Sequence, residues 1–148
     1  MKEYKTHSYE ETVKLGERVA KSLPKGSVVA FLGGLGMGKT AFTTGFAKGL
    51  GIDVDVSSPT FAICNTYIGE ENTLYHFDMY RVDGWDDLYS TGFFDYIDMG
   101  GVLVIEWSEN IENCLPENSI RVSISKNDNE NERIITLERG AEIEDTRA

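Results

Sequence analysis

Eight consecutive residues carry the clearest chemistry in this chain: Gly33-Gly34-Leu35-Gly36-Met37-Gly38-Lys39-Thr40, the spacing G-x-x-x-x-G-K-[ST]. Glycines let a backbone turn its N–H groups inward around a phosphate, and a helix that starts near the lysine adds the positive end of its dipole. In such a loop Lys39 reaches the β and γ phosphates and the Thr40 hydroxyl sits on Mg²⁺. The context agrees. The apolar run Val28 to Leu32 enters the loop as a strand, and Phe42, Phe46 and Leu50 leave it at helical spacing. The pattern reads as a nucleotide site, with Gly33, Leu35, Gly36, Met37, Gly38, Lys39, Thr40 and Ala41 as the residues expected to touch the phosphates.

A magnesium ion in such a site takes the loop hydroxyl and a carboxylate at the end of a neighbouring buried strand. Two acids qualify. Glu106 ends the apolar stretch Val102 to Ile105, and Asp78 ends a strand that contains His76. The expectation is that Thr40, Asp78 and Glu106 surround the metal, one acid acting through a water and Glu106 also orienting the attacking water; Lys39, Asp78 and Glu106 form the catalytic set. Which acid binds directly is left open. His76 lies two residues before Asp78, so both side chains share a strand face. A hydrogen-bonded core histidine is the expectation there, not a ligand. Arg81 is the one Lys or Arg between Lys48 and Arg121. It either senses the γ-phosphate, serves a switch or partner, or bridges Asp83 or Asp86 at the surface. Trp107 packs in the core, stacks near the nucleotide or marks a partner surface.

Several elements must position these groups. Ser8-Tyr9-Glu10-Glu11 has capping-box spacing, and Val13, Val19, Ala20 and Leu23 follow as one face of a helix that stops at Pro24 and precedes the first strand. Gly51 fits the end of the helix after the loop. Thr60 to Ile68 and Thr73 to Tyr80 read as a hairpin, Trp85 to Tyr89 and Phe93 to Ile97 as two short helical turns, and Val102 to Ile105 as a buried strand. Ile120 to Ile124 and Ile134 to Leu137 form a last hairpin. The fold class that follows is α/β: a three-layer α/β/α P-loop NTPase fold with a mixed, partly antiparallel sheet. Residues 1–140 are expected to be a single domain and 141–148 a charged, frayed tail.

With 25 acidic against 14 basic side chains among 148 residues, the net charge is −11, which opposes autonomous binding to a nucleic-acid backbone. Cys64 and Cys114 are too few for a disulfide framework and read as reduced thiols. The amino terminus has no apolar signal core and no run reaches the length of a membrane span, so a cytoplasmic protein is expected.

The enzyme-class rival is a P-loop kinase of a small metabolite. Kinases clamp two phosphorylated groups with extra cations, whereas the stretch from Val82 to Ile120 holds nine acids and no bases. A guanine switch is the binding-module rival, since Ser125-Lys126-Asn127-Asp128 loosely resembles N-K-x-D. It lacks the leading Asn and falls in a hairpin turn. Asp98-Met99-Gly100-Gly101 mimics a switch motif but precedes its strand.

Taken together the residues resemble one family, the bacterial TsaE (YjeE) P-loop ATPases of tRNA threonylcarbamoyladenosine synthesis. Its signatures occur in order as Thr12, Gly33 to Thr40, Ser58-Pro59-Thr60-Phe61, His76-Phe77-Asp78-Met79-Tyr80-Arg81 and Ile105-Glu106-Trp107. The resemblance implies that Ser58 to Phe61 and the segment around Asp78 are switch-like and that Glu106 is a magnesium ligand. It implies an ATP- and Mg²⁺-dependent accessory ATPase acting with the TsaB and TsaD proteins, the tRNA chemistry belonging to TsaD and no stable tRNA grip being required here. Two loop positions depart from the family, Gly34 for its usual Asp and Met37 for its usual Ala. Tyr9, Thr12 and Arg133 are the candidates for contact with adenine.

Overall fold

The computed structural model describes residues 2–32, 38–53 and 64–139. Seven strands form one mixed sheet in the order β1-β7-β6-β2-β5-β4-β3. They are β1 (Lys2–Thr6), β2 (Val28–Phe31), β3 (Cys64–Ile68), β4 (Thr73–Asp78), β5 (Val102–Glu106), β6 (Ile120–Lys126) and β7 (Arg133–Arg139). The helices are α1 (Tyr9–Ser22), α2 (Lys39–Gly49), α3 (Trp85–Ser90) and α4 (Phe93–Ile97), with a kinked 3₁₀ stretch over Ser108–Cys114.

The centre of the sheet is parallel: β2 lies between β5 and β6, and β4 flanks β5. Toward the edges the pairing is antiparallel, β3 with β4 and β6 with β7, so the two expected hairpins are present. The buried pattern alternates as a two-sided sheet requires. Val29, Phe31, Val102, Val104 and Val122 face α1 and α2, where Leu15, Val19, Phe42 and Phe46 cover them. Val28, Phe77, Leu103 and Ile105 face the other way, against Leu88 and Phe93 of the short helices and Ile111. Three layers result.

One expectation needs correction. The first helix does not precede the first strand, because β1 comes before it and pairs antiparallel with β7, Lys2 opposite Leu137 and Thr6 opposite Arg133. Its five residues hold one large apolar side chain, Tyr4, so they carry little β signal of their own. Their pairing partner lies at the far end of the chain. Glu3 and Lys5 point to solvent, and charge on a sheet edge discourages further pairing.

The stripe of α1 is also rotated from the expected one: Thr12, Leu15, Gly16, Val19 and Ala20 are buried, while Val13 is half-buried. Ser8 Oγ accepts from the Glu11 N–H at 3.1 Å, as a capping box demands, but the Glu11 carboxylate reaches the His7 N–H at 2.8 Å. The two large helices pack unusually close, because glycines stand where they cross. A Cβ at Gly16 would lie 2.1 Å from the Phe42 carbonyl oxygen, and one at Gly45 would lie 1.8 Å from that of Val13. Thus α1 is locked to the helix that begins with Lys39. Helix α2 ends as expected, with Gly51 in the left-handed region at φ +83°.

Candidate functional site: a phosphate-binding centre at the strand ends

Gly38 precedes α2 with φ +97°, a conformation that suits glycine, and no side chain caps the helix. Backbone N–H groups at the start of a helix are the kind that bind an anion. Lys39 follows and is 93 % buried in residue surface (7 % exposed), while Thr40 is exposed and so open to a metal-bound phosphate. Burial pulls the Lys39 ammonium below the ordinary lysine value, opposed by attraction from Glu106 and then Glu109. Ala41 is buried and offers backbone alone. Gly33, Leu35, Gly36 and Met37 of the expected loop, with Gly34, lie outside the described residues, as do Ser58 to Phe61.

The two acids meet where expected. Asp78 and Glu106 are register partners at the ends of the parallel strands β4 and β5, so they project from the same face. That face also carries Val104, which packs under α1 and α2, and hence it is the face on which Lys39 lies. Asp78 is half-buried, and its Oδ1 accepts from the Tyr80 N–H at 3.0 Å, which ties its carboxylate to the turn that follows. Glu106 is buried.

His76 is the core histidine expected, and its partner is Glu106: Nε2 and Oε2 are 2.6 Å apart with both residues buried. Its Nδ1 is buried with no hydrogen-bond partner among the described residues. The histidine thus holds the Oε2 edge of the acid from within the core.

Further polar groups brace the acids. Ser108 donates from Oγ to the Phe31 carbonyl at 2.9 Å, joining the end of β5 to the end of β2 where the loop departs. Asn110 donates from Nδ2 to the Met79 carbonyl at 2.8 Å, and the Met79 N–H donates to the Glu106 carbonyl at 3.0 Å. Sequence reading missed Ser108 and Asn110; their positions two and four residues after a strand-ending acid were the available signal. Trp107 adopts φ +58°, the one non-glycine residue with positive φ among those described, and its ring lies 4.9 Å from that of Tyr80. Arg81 is exposed, and among the described residues it forms no ion pair with Asp83 or Asp86; Asp87 instead accepts from the Asp83 N–H.

Of the adenine candidates, Thr12 is committed elsewhere, its Oγ1 lying 2.7 Å from that of Thr6 in the interior. Tyr9 is exposed, and Arg133 packs beside Gly38. Cys64 and Cys114 are free thiols, and burial raises the Cys64 value. Among the described residues no three His, Cys, Asp or Glu side chains form a metal cage by themselves. The oxygen donors of Thr40, Asp78 and Glu106 suit Mg²⁺, which takes few protein carboxylates and completes its shell with phosphate and water. No described helix is long and apolar enough to cross a membrane.

A three-layer fold on a mixed sheet, in which the helix after β2 begins with a buried lysine and two acids end neighbouring parallel strands, defines a P-loop nucleotide-binding fold. The description "Threonylcarbamoyl adenosine biosynthesis protein TsaE" matches residues 6–135. The TsaE of Treponema pallidum is 40 % identical over 119 residues, covering 80 % of this chain and 87 % of that protein. That of Bacillus subtilis is 39 % identical over 134 residues, 90 % and 83 % of the two chains. A crystal structure of Bacillus subtilis YdiB superposes with a TM-score of 0.73 at 33 % identity, covering 95 % of this chain and 86 % of that one. The chain belongs to the TsaE family.

Proposed function

We propose that this protein binds ATP with Mg²⁺ and hydrolyses it slowly, as an accessory ATPase in the formation of threonylcarbamoyladenosine in tRNA, working in the cytoplasm with TsaB and TsaD. The observation that carries the nucleotide reading is the buried Lys39 at an uncapped helix start, drawn toward the buried Glu106. The family's printed role supports the tRNA pathway. Lys39 holds the β and γ phosphates. Thr40, Glu106 and Asp78 hold the metal, which when bound neutralises charge on the phosphates. Glu106, aimed by His76, also orients the attacking water. No lysine or arginine lies between Val82 and Ile120 to clamp a second phosphorylated substrate, and this favours hydrolysis over transfer.

The test is phosphate release from Mg-ATP by the chain alone and with purified TsaB and TsaD. Slow turnover that the partners stimulate is expected. Fast turnover by the chain alone refutes partner dependence, and phosphate delivered to a metabolite replaces this reading by a kinase.

A further inference from the structure

The basic side chains of this acidic chain are gathered near its beginning. Six of the 14 lysines and arginines, against four of the 25 acids, fall within the first 25 residues. Four of the six, Lys5, Lys14, Arg18 and Lys21, line a groove of about 540 Å³ between β1 and α1, and Tyr4 gives it apolar surface. None of these residues belongs to the phosphate site described above.

The acids of the groove are already engaged. Glu17 holds Lys21 at 3.2 Å, and the Glu11 carboxylate accepts from the His7 N–H at 2.8 Å. Lys14 and Arg18 are exposed and have no ion-pair partner among the described residues. They stand one helical turn apart, a like-charged pair that costs a helix stability and that an anion between them relieves. Beside them runs a free sheet edge. Among the described residues β1 is the outermost strand and pairs with β7 alone, so the backbone N–H and C=O groups on its other side meet no strand. The charge that keeps a like edge away favours a strand of opposite sign, since unlike side chains attract across paired strands.

We propose that this groove takes an extended acidic segment of a partner protein, laid along β1 as an added strand with carboxylates toward Lys14, Arg18 and Lys21. Main-chain bonds to the free edge supply affinity, and the cations of α1 select the sign of the partner. Arg18 offers a planar fork that holds a carboxylate by two bonds, with the lysines as point charges beside it. Because strand side chains alternate, a segment with an acid at every second position presents one charged face to the helix. An RNA strand could use the same cations but has no peptide groups to pair with the edge, and a net charge of −11 opposes its long phosphate chain.

Fluorescence anisotropy of a labelled Glu-Thr-Glu-Thr-Glu-Thr peptide with the full chain tests this. Lys14→Gln combined with Arg18→Gln, both at exposed positions, should weaken binding about fivefold, whereas Lys48→Gln, which removes an exposed charge outside the groove, should change it by less than about twofold. The peptide Glu-Thr-Glu-Pro-Glu-Thr keeps every carboxylate but lacks one N–H for the edge, and it should bind about tenfold more weakly. Equal binding of the two acidic peptides would reduce the groove to a patch of charge, and tighter binding of an oligouridylate of similar length would make RNA the occupant. Binding that appears only once residues 140–148 are removed would make this chain's own acidic end the occupant. Each of these overturns the proposal, as does no binding at all. Hydrogen exchange on the wild-type chain adds a readout free of any variant: the peptide should slow exchange in residues 2–6, and protection that leaves them unchanged refutes strand addition. ATP takes no part in these measurements, so their failure leaves the ATPase reading as it stands.

Discussion

Replacing Gly45 by Ala should destabilise the protein although it adds one methyl group and improves helix propensity. A Cβ there falls 1.8 Å from the Val13 carbonyl oxygen, 2.6 Å from its carbon and 3.0 Å from its Cα. The first contact is short of ordinary packing by more than an ångström, and the obstacle is backbone, so no rotamer relieves it. Helix α1 must move away from α2, loosening the contacts of Leu15 and Val19 with Phe42 and Phe46. Inserting a methylene into a packed core costs about 1–3 kcal/mol, more where backbone must shift. The gain from replacing helical Gly by Ala is about 1 kcal/mol. With the cost at the upper end of that range, a net loss of about 2 kcal/mol follows, or roughly 4–8 °C in Tm for a chain of this length. Differential scanning calorimetry measures it, with Thr44→Ala on the neighbouring half-buried position as the control for propensity. Because α2 begins with Lys39, ATP affinity should fall as well. A Gly45→Ala melting point within about 1 °C of wild type would refute the close-crossing argument.

Glu106→Gln should retain Mg-ATP binding within a few fold but lower single-turnover hydrolysis by about two orders of magnitude, since it removes the charge proposed to orient water and metal; unchanged turnover would take Glu106 out of that role. Ser108→Ala removes a buried hydrogen bond between the ends of β5 and β2 and should lower stability by about 1–2 kcal/mol in urea unfolding. The Glu132 carboxyl is held below its usual value of 4.5 by hydrogen bonds from Asn129 and then His7. A depressed acid contributes stability in full above the unfolded value and loses it as pH falls through the folded value, so Glu132→Gln should lower Tm at pH 6–7 and the difference should shrink as the pH falls below the usual carboxylate value. A constant difference across that range would contradict the linkage.

Both strand-end acids and both hairpins were legible because each writes its signal locally: a polar residue closing an apolar run, alternation between turn residues. The hairpin of β4 was read two residues too long, since Met79 and Tyr80 continue the alternation while Asp78 already bends the chain through its bond to the Tyr80 N–H. What escaped was long-range. Strand β1 exists because β7, more than a hundred residues away, offers it an edge. The pairing of His76 with Glu106 depends on the register of β4 against β5, and the tight crossing of α1 and α2 depends on Gly16 and Gly45 meeting across two elements. Sequence placed Thr12 among the family signatures without a reason; its bond to Thr6 makes it the joint between β1 and α1.

Trp107 holds a backbone shape that tryptophan rarely tolerates, one residue beyond Glu106, with its indole against the exposed Tyr80, two residues beyond Asp78. Both carboxylates therefore end in the same surface feature, and the Met79–Glu106 and Asn110–Met79 bonds leave no slack between them. Anything that pries the ring pair apart at the surface must turn both acids together, so the outer rim of the molecule has a mechanical handle on the two carboxylates at the strand ends.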